Sequence, residues 1–278
     1  MWLLWAVTAL AGVIWAYMLV GHGQFWRADQ RLDTDHPPDH RALDRADNAP
    51  SVVALVPARN EADVIATSIA SLEAQDYPGP LTIVVTDDAS DDGTGDVLRG
   101  LCCGQRPLHI VDGSGPEVGW SGKLYALEQA QRRAIAEGLE PDYWWLVDAD
   151  IAHDPSALSR LISQAEGGGY DLVSTMVRLR DDGFWPGLMI PAFIFFFQML
   201  YPFRWINRPG HKMAGAAGGC VLLRRVALER IEGFGSYSDA LIDDCTLAKR
   251  VQASGGKIWL GLSHSQHSIR PYDGLGEI

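Results

Sequence analysis

The stretch WWLVDADIAHD contains two aspartates, Asp148 and Asp150, two residues apart. In extended backbone both carboxylates project to the same side. Four apolar residues precede the pair, so it emerges from a buried strand. Two hard oxygen ligands converging at a strand end suit Mg2+ or Mn2+, completed by water and substrate phosphates. The plainer alternative is a solvated turn with an aspartate capping the helix at Pro155, a cap that Asp154 already suits.

A second acidic pair, Asp243 and Asp244, stands in ALIDDCTLAKRVQASGG. The spacing of Leu247 and Val251 predicts a helix with the pair near its start. The helix dipole favours carboxylates there, so capping is one reading. The other is a general base, held in a crevice and not consumed by a metal, that takes a proton from an attacking hydroxyl. A third cluster, VVTDDASDDGTGDV, concentrates Asp87, Asp88, Asp91, Asp92 and Asp96 where a β-branched run ends. Such charges can hold a metal, read a ligand or shape a turn. Asp91 and Asp92 precede Gly93 and Thr94, a composition suited to a tight turn, and Asp96 falls in the first turn of the next helix.

Strand and helix signals alternate around these residues. SVVALVPARN, LTIVVTDD, LHIVDG, YWWLVDAD and DLVSTMV read as strands; EADVIATSIASLEAQ, KLYALEQAQRRAIAEG and PSALSRLISQAE read as helices. Alternation of this kind implies an α/β layer structure with a mainly parallel sheet, in which ligands gather at the carboxyl ends of the strands. The acidic clusters sit at such ends.

The 278 residues carry a formal charge of −12. That balance argues against a nucleic-acid binder, which needs a basic surface. It leaves an anionic substrate open, since a metal held by carboxylates inverts the local field. With 47% hydrophobic and 21% charged residues, disorder is not indicated. Cys102, Cys103, Cys220 and Cys245 show no zinc or disulfide spacing and read as free thiols of a reducing compartment.

The first twenty residues, MWLLWAVTALAGVIWAYMLV, carry no charge and are long enough to span about 30 Å of hydrocarbon. Residues 1–22 are expected to be a transmembrane anchor, 23–50 a polar connector and 51–278 the catalytic domain. Arg27 and Arg31 after the span place the remainder in the cytoplasm by the positive-inside tendency. Residues 184–206 form a second membrane segment, FWPGLMIPAFIFFFQMLYPF at its centre, expected to be interfacial or re-entrant with aromatics at headgroup depth. A buried core helix is the alternative. A single crossing fails if the site uses residues from both sides of it.

LVPARNEADVI, VVTDDASDDGT, GKLYAL, VDADI and IDDCTLAKRV, taken in order, resemble the successive motifs of family 2 glycosyltransferases, which have the glycosyltransferase-A fold. The likeness runs from about Val52 to Leu260. GQFWRADQRLD after the anchor and SIRPYDGLGEI at the end resemble the hopene-associated glycosyltransferases, relatives of the ceramide glucosyltransferase type. The resemblance implies a nucleotide-sugar donor (a UDP-sugar first), a divalent cation, inversion at the anomeric carbon, a lipid acceptor and a place at the bacterial inner membrane. Asp88 matches the aspartate that contacts base and ribose; Pro57, Arg59, Asn60 and Glu61 match the loop that also holds the nucleoside. Asp148 and Asp150 match the metal and diphosphate motif, Asp244 the catalytic base, and Lys123 a loop residue near the donor. The metal at Asp148 and Asp150 would offset the charge of the departing nucleoside diphosphate. HKMAGAAGGCVLLRR would form the acceptor side, or simply pack backbone closely.

No QxxRW element follows Asp244, so polymer synthesis is not expected. Hopene-associated members carry further C-terminal hydrophobic segments, and the chain stops at Ile278, as a shorter form or a fragment does. His264 and His267 read as solvent-facing rather than as further ligands. Two rivals accompany this reading: a membrane-tethered nucleotide binder without turnover, and a nucleotidyltransferase, which also uses a metal-bound carboxylate pair on an α/β sheet.

Overall fold

In the computed structural model, which describes residues 1–33, 49–101, 104–272 and 276, the alternation becomes one eight-stranded sheet between helical layers. The chain opens with helix α1 (Trp2–Ala16), widened over Tyr17–Gly21 and followed by a short turn at Phe25–Arg27. Then come β1 (Val52–Ala58), α2 (Ile65–Glu73), β2 (Leu81–Asp87), α3 (Thr94–Gly100), β3 (Leu108–Asp112), α4 (Gly122–Ala136), β4 (Tyr143–Val147) and β5 (Ile151–His153). After these follow α5 (Ala157–Gly168), β6 (Leu172–Arg178), α6 (Phe184–Leu200), α7 (Phe203–Ile206), β7 (Cys220–Arg224), α8 (Arg225–Arg230), α9 (Asp243–Ala253) and β8 (Ile258–Ser268).

The strand order is β3-β2-β1-β4-β7-β6-β8-β5. β3, β2, β1 and β4 are parallel neighbours, as are β6 and β8. β7 is antiparallel to β4 and β6, and β5 to β8. The parallel reading thus describes residues 52–147 and gives way beyond them. The sequence alternation does not announce β7 or β8; β8 is polar inside, where Ser263, Ser265, Gln266 and Ser268 are buried.

β1 shows why the parallel half is apolar throughout. Val52, Ala54 and Val56 join one core layer with α2 and α5, while Val53 and Leu55 join the other with α4, α8 and α9. A strand covered on both faces has no solvent side, so it reads as a continuous apolar run. Leu55, 0% exposed, contributes about 1.5–3 kcal/mol of transfer free energy. The register Ala58↔Asp87↔Asp112 brings the carboxyl ends of β1, β2 and β3 to one edge.

α6 covers the segment for which the sequence left span, interfacial element or core helix open. It buries only Pro186, Ile190 and Gln198. Phe184, Leu188, Phe193, Phe195, Phe196 and Leu200 are half or more exposed. That exposure excludes the core helix. α1 buries nothing. The end of the first apolar stretch is clasped to α6 and α7: His22 Nε2 donates to the Met199 carbonyl at 2.9 Å, and Phe25 meets Phe195 edge-on at 5.2 Å. Arg204 of α7 pairs with Asp29 and donates to Gln24 at 2.8 Å.

Candidate active site

The aspartates after β2 divide by what they hold. Asp92 accepts from the amides of Thr94 (2.9 Å) and Ala62 (3.0 Å), fixing the turn at Gly93, whose φ of 96° suits glycine. Asp87 accepts from Ser90 N at 3.1 Å, and Asp96 pairs with Arg99 at 2.9 Å in the first turn of α3. The loop after β1 is tied to the same turn. Asn60, in a left-handed conformation at φ 55°, accepts from Asp91 N at 3.0 Å and donates its own amide to Ser90 Oγ at 2.9 Å. Asp88 differs from all of these. Its side chain is buried, Arg59 reaches its Oδ2 only at 3.7 Å, and its Oδ1 has no hydrogen-bond partner among the described residues. A buried carboxylate oxygen left unpaired carries a desolvation cost that a ligand's N–H or O–H would relieve.

Asp88 faces a cavity of about 410 Å³, lined also by Pro57, Arg59, Glu61, Lys123, Asp148 and Asp150. Its size lies in the range of small-ligand sites. Lys123 stands in the first turn of α4, a helix capped by Ser121, whose hydroxyl accepts from Leu124 N at 3.4 Å. Its ammonium lies 2.5 Å from Asp148 Oδ1. Asp150 accepts from Arg270 Nε at 3.2 Å and from Ser268 Oγ at 3.3 Å, and Arg270 also pairs with Glu61. The two carboxylates of the strand-end pair therefore share one cavity, each with a cation of the chain beside it.

Asp244 does not line that cavity but adjoins it. A first side-chain carbon at Gly218 would lie 3.2 Å from Lys123 Nζ and 3.3 Å from Asp244 Oδ2, so both groups crowd the same small space. Asp244 also accepts from the amide of Cys245 at 2.7 Å in the first turn of α9, a position the helix dipole favours. The Cys245 thiol lies against the Ala216 carbonyl and the Tyr201 hydroxyl, so the residue just past α6 reaches the neighbour of Asp244.

Burial sets the proton affinities here. It raises Asp148 above the ordinary carboxylate range, outweighing the pull of Lys123. Burial alone would lower Lys123, but Asp148, Asp243 and Asp244 together hold its pKa above the usual amine value. Asp244 is raised chiefly by burial and further by Asp243, with Cys245 N opposing. Burial likewise raises Glu61 despite Arg270.

The structure thus brings Pro57, Arg59, Glu61, Asp88, Lys123, Asp148 and Asp150 to one cavity, sets Asp244 at its side, and turns the Asn60 side chain to bracing the neighbouring loop. His264 and His267 are exposed. Arg270 is a site residue that sequence reasoning missed. It stands in the quoted SIRPYDGLGEI, but spacing gives no sign that residue 270 folds back between Glu61 and Asp150. Cys220 is buried and free, as is the half-buried Cys245; Cys102 and Cys103 lie outside the described residues.

Residues 53–232, well over half of the chain, match the sequence profile of glycosyl transferase family 2. The chain belongs to that family. No curated protein matches its sequence. Among solved structures this family 2 glycosyltransferase is similar to the mannosyltransferase PcManGT from Pyrobaculum calidifontis in complex with GDP-Man and Mn2+ (TM-score 0.67, 23% identity, covering 96% of this chain and 68% of that one). It is also similar to S. aureus TarS 1-349 in complex with UDP (TM-score 0.54, 14% identity, covering 78% of this chain and 60% of that one). The same TarS fragment with UDP-GlcNAc gives a TM-score of 0.51 at 16% identity, covering 81% of this chain and 60% of that one. The chain therefore spans less than two thirds of that TarS fragment. The fold is the glycosyltransferase-A fold.

Proposed function

We propose that this glycosyltransferase is membrane-bound and inverting, and moves a hexose from a nucleotide-sugar donor, a UDP-sugar first, to the hydroxyl of a hopanoid-like lipid. One observation carries the reading. The cavity that holds Asp88, Asp148 and Asp150 adjoins Asp244, and Asp244 stands beside the end of an exposed apolar helix. Donor and lipid thus have separate approaches to one place.

In this reading the free Oδ1 of Asp88 accepts from the base or ribose, beside Pro57 and Arg59, and Glu61 holds Arg270 across the cavity mouth. Asn60 keeps that loop in place. Asp148 and Asp150 offer hard oxygens, and among the described residues no group of three or more His, Cys, Asp or Glu closes a full metal cage. Two carboxylates facing an open cavity fit Mg2+ or Mn2+, which keep waters and take substrate phosphates. When bound, such an ion offsets the charge of the nucleoside diphosphate as it leaves. Lys123, held charged by three carboxylates, adds a fixed positive charge at the same place. Asp244, its proton affinity raised by burial, takes the proton from the acceptor hydroxyl. Attack from the face opposite the departing phosphate inverts the anomeric carbon.

The membrane part rests on the apolar, largely exposed helical stretches Trp2–Gly21 and Phe184–Ile206, which contain α1 and α6 and have the mean hydropathy and length of spans. Arg27 and Arg31 after the first put the catalytic domain on the cytoplasmic face of a bacterial inner membrane. The stretches GQFWRADQRLD and SIRPYDGLGEI support the hopanoid-like acceptor.

The test is release of nucleoside diphosphate from a panel of UDP- and GDP-sugars by purified protein with Mn2+, extracted lipid and detergent. Lipid-dependent release with sugar recovered on the lipid is the expected result. Tight nucleotide binding without release would instead select a binder that lacks turnover, and pyrophosphate as product would select nucleotidyl transfer.

A further inference from the structure

A second cavity, about 420 Å³, opens between the loop after α7 and the turn from α9 into β8. Its lining includes Arg208, His211, Lys212 and Lys257 and no carboxylate. Acidic residues outnumber basic ones by 35 to 23 in this chain, so an uncompensated basic lining is unusual here. Arg204, Arg225 and Arg270, by contrast, each have a carboxylate in contact. Asp171 lies behind Gly256 but is already held by Arg230 at 2.8 Å and Arg224 at 3.6 Å.

The loop is braced rather than loose. Gln252 Nε2 donates to the carbonyls of His211 (3.2 Å) and Met213 (3.0 Å), and Asn207 exchanges hydrogen bonds with Leu260 at 2.8 and 2.9 Å. The His211 ring stacks on Trp205 at 5.1 Å, and Trp205 meets His22 at 4.8 Å. His22 directly follows the exposed apolar stretch Trp2–Gly21. Two ring contacts therefore connect the basic cavity to the end of that stretch. Of these rings Trp205 is of the type enriched at the level of lipid headgroups.

We propose that this cavity binds the phosphate of an anionic membrane phospholipid, with Arg208, Lys212 and Lys257 as its charged contacts. The inference rests on the membrane-bound reading of α1 and α6 and not on the donor chemistry. Guanidinium and ammonium groups complement a phosphodiester, and basic pockets beside membrane helices on the cytoplasmic side recognise anionic headgroups.

The test titrates dihexanoyl phosphatidylglycerol into detergent-solubilised full chain by calorimetry, with dihexanoyl phosphatidylcholine and inorganic phosphate as separate arms. The wild type should bind the phosphatidylglycerol, and Arg208→Gln/Lys212→Gln/Lys257→Gln should weaken it at least tenfold. Phosphatidylcholine and inorganic phosphate should bind at least tenfold more weakly than the anionic lipid. UDP and GDP, titrated with Mn2+ into the same samples, report the donor cavity and the folding of the variant. Should the triple variant lose nucleotide binding, Arg208→Gln and Lys257→Gln, each at an exposed position, are measured singly and should each weaken the lipid at least twofold. Unchanged lipid affinity in the folded variants, equal binding of phosphatidylcholine, or inorganic phosphate as tight as the lipid would overturn the proposal. Lipid binding by a wild type that binds neither UDP nor GDP in the presence of Mn2+ would sink the donor reading and leave this one standing.

Discussion

Around the cavity that Asp88, Asp148 and Asp150 line, charges meet charges: Lys123 with Asp148, Arg270 with Asp150 and Glu61, Arg59 with Asp88. The exposed apolar region is built the other way. α1 and α6 present Trp2, Trp5, Phe193 and Phe196 outward, each half or more exposed. In water such a surface is costly, at about 25 cal/mol for each Å² that remains uncovered, whereas in lipid the cost disappears. The contrast assigns electrostatic preorganisation to one region and solvent selection to the other. It also locates the seam between them, where Tyr201 and Cys245 bring the foot of α6 to Asp244.

The deepest cut into the charged region is Asp244→Asn. Loss of a general base costs roughly 10²–10⁴-fold in rate, so kcat should fall that far while UDP affinity, measured by calorimetry, stays within about twofold. Asp148→Asn and Asp150→Asn should behave differently. Each removes a charged contact of about 1.5–3 kcal/mol and should weaken Mn2+-dependent donor binding tenfold or more. The base also fixes the acid side of the pH profile. Because burial raises Asp244, activity should fall, as pH drops, above the value of an ordinary aspartate, about 3.9. A full rate for Asp244→Asn, or an acid limb at the ordinary value, would erase the division of labour between the two carboxylate pairs.

The charged region was the more legible of the two. Strand ends with paired aspartates are local patterns, and a parallel sheet gathers its carboxyl ends by construction, so Asp148 and Asp150 could be placed from pattern, while only the family resemblance singled out Asp88 among its neighbours. Arg270 could not, since its role depends on β8 folding beside β6 and β5, and β8 hides behind buried serines and Gln266 that satisfy no apolar pattern. Asn60 shows the opposite error: a motif position whose side chain holds the turn at Asp91 instead of facing the cavity. In the exposed apolar region, composition announced apolar helices but not their contacts. The ring contacts of His22, Trp205 and His211 join residues nearly two hundred positions apart, and no period in the sequence encodes them.

A cut on the apolar side should leave the donor chemistry alone. Phe193 and Phe196 are 50% and 51% exposed, and replacing each by serine removes about 1–2 kcal/mol of lipid contact. Phe193→Ser/Phe196→Ser should lower transfer to a bilayer-embedded acceptor about tenfold while slow hydrolysis of the donor by water is unchanged. Equal loss in both assays would mean that α6 supports the donor cavity itself, and the two regions would have to be treated as one.

The smallest effect belongs to the seam. Arg204 on α7 lowers the pKa of Asp29 to about 2, chiefly through their hydrogen bond, against the cost of burial. The pair is over a third exposed on the aspartate side, so its worth is that of a surface ion pair, about 0–1 kcal/mol. A carboxylate whose folded pKa is depressed contributes stability that is complete above its unfolded value and disappears as pH falls through the folded one. Asp29→Asn should therefore lower the Tm of the detergent-solubilised chain by a few degrees at most near neutral pH. The gap from wild type should close as the pH is brought from about 4 toward 2. A large loss at neutral pH, or a gap that does not close, would mean that the connector holds the apolar helices by something other than this ion pair.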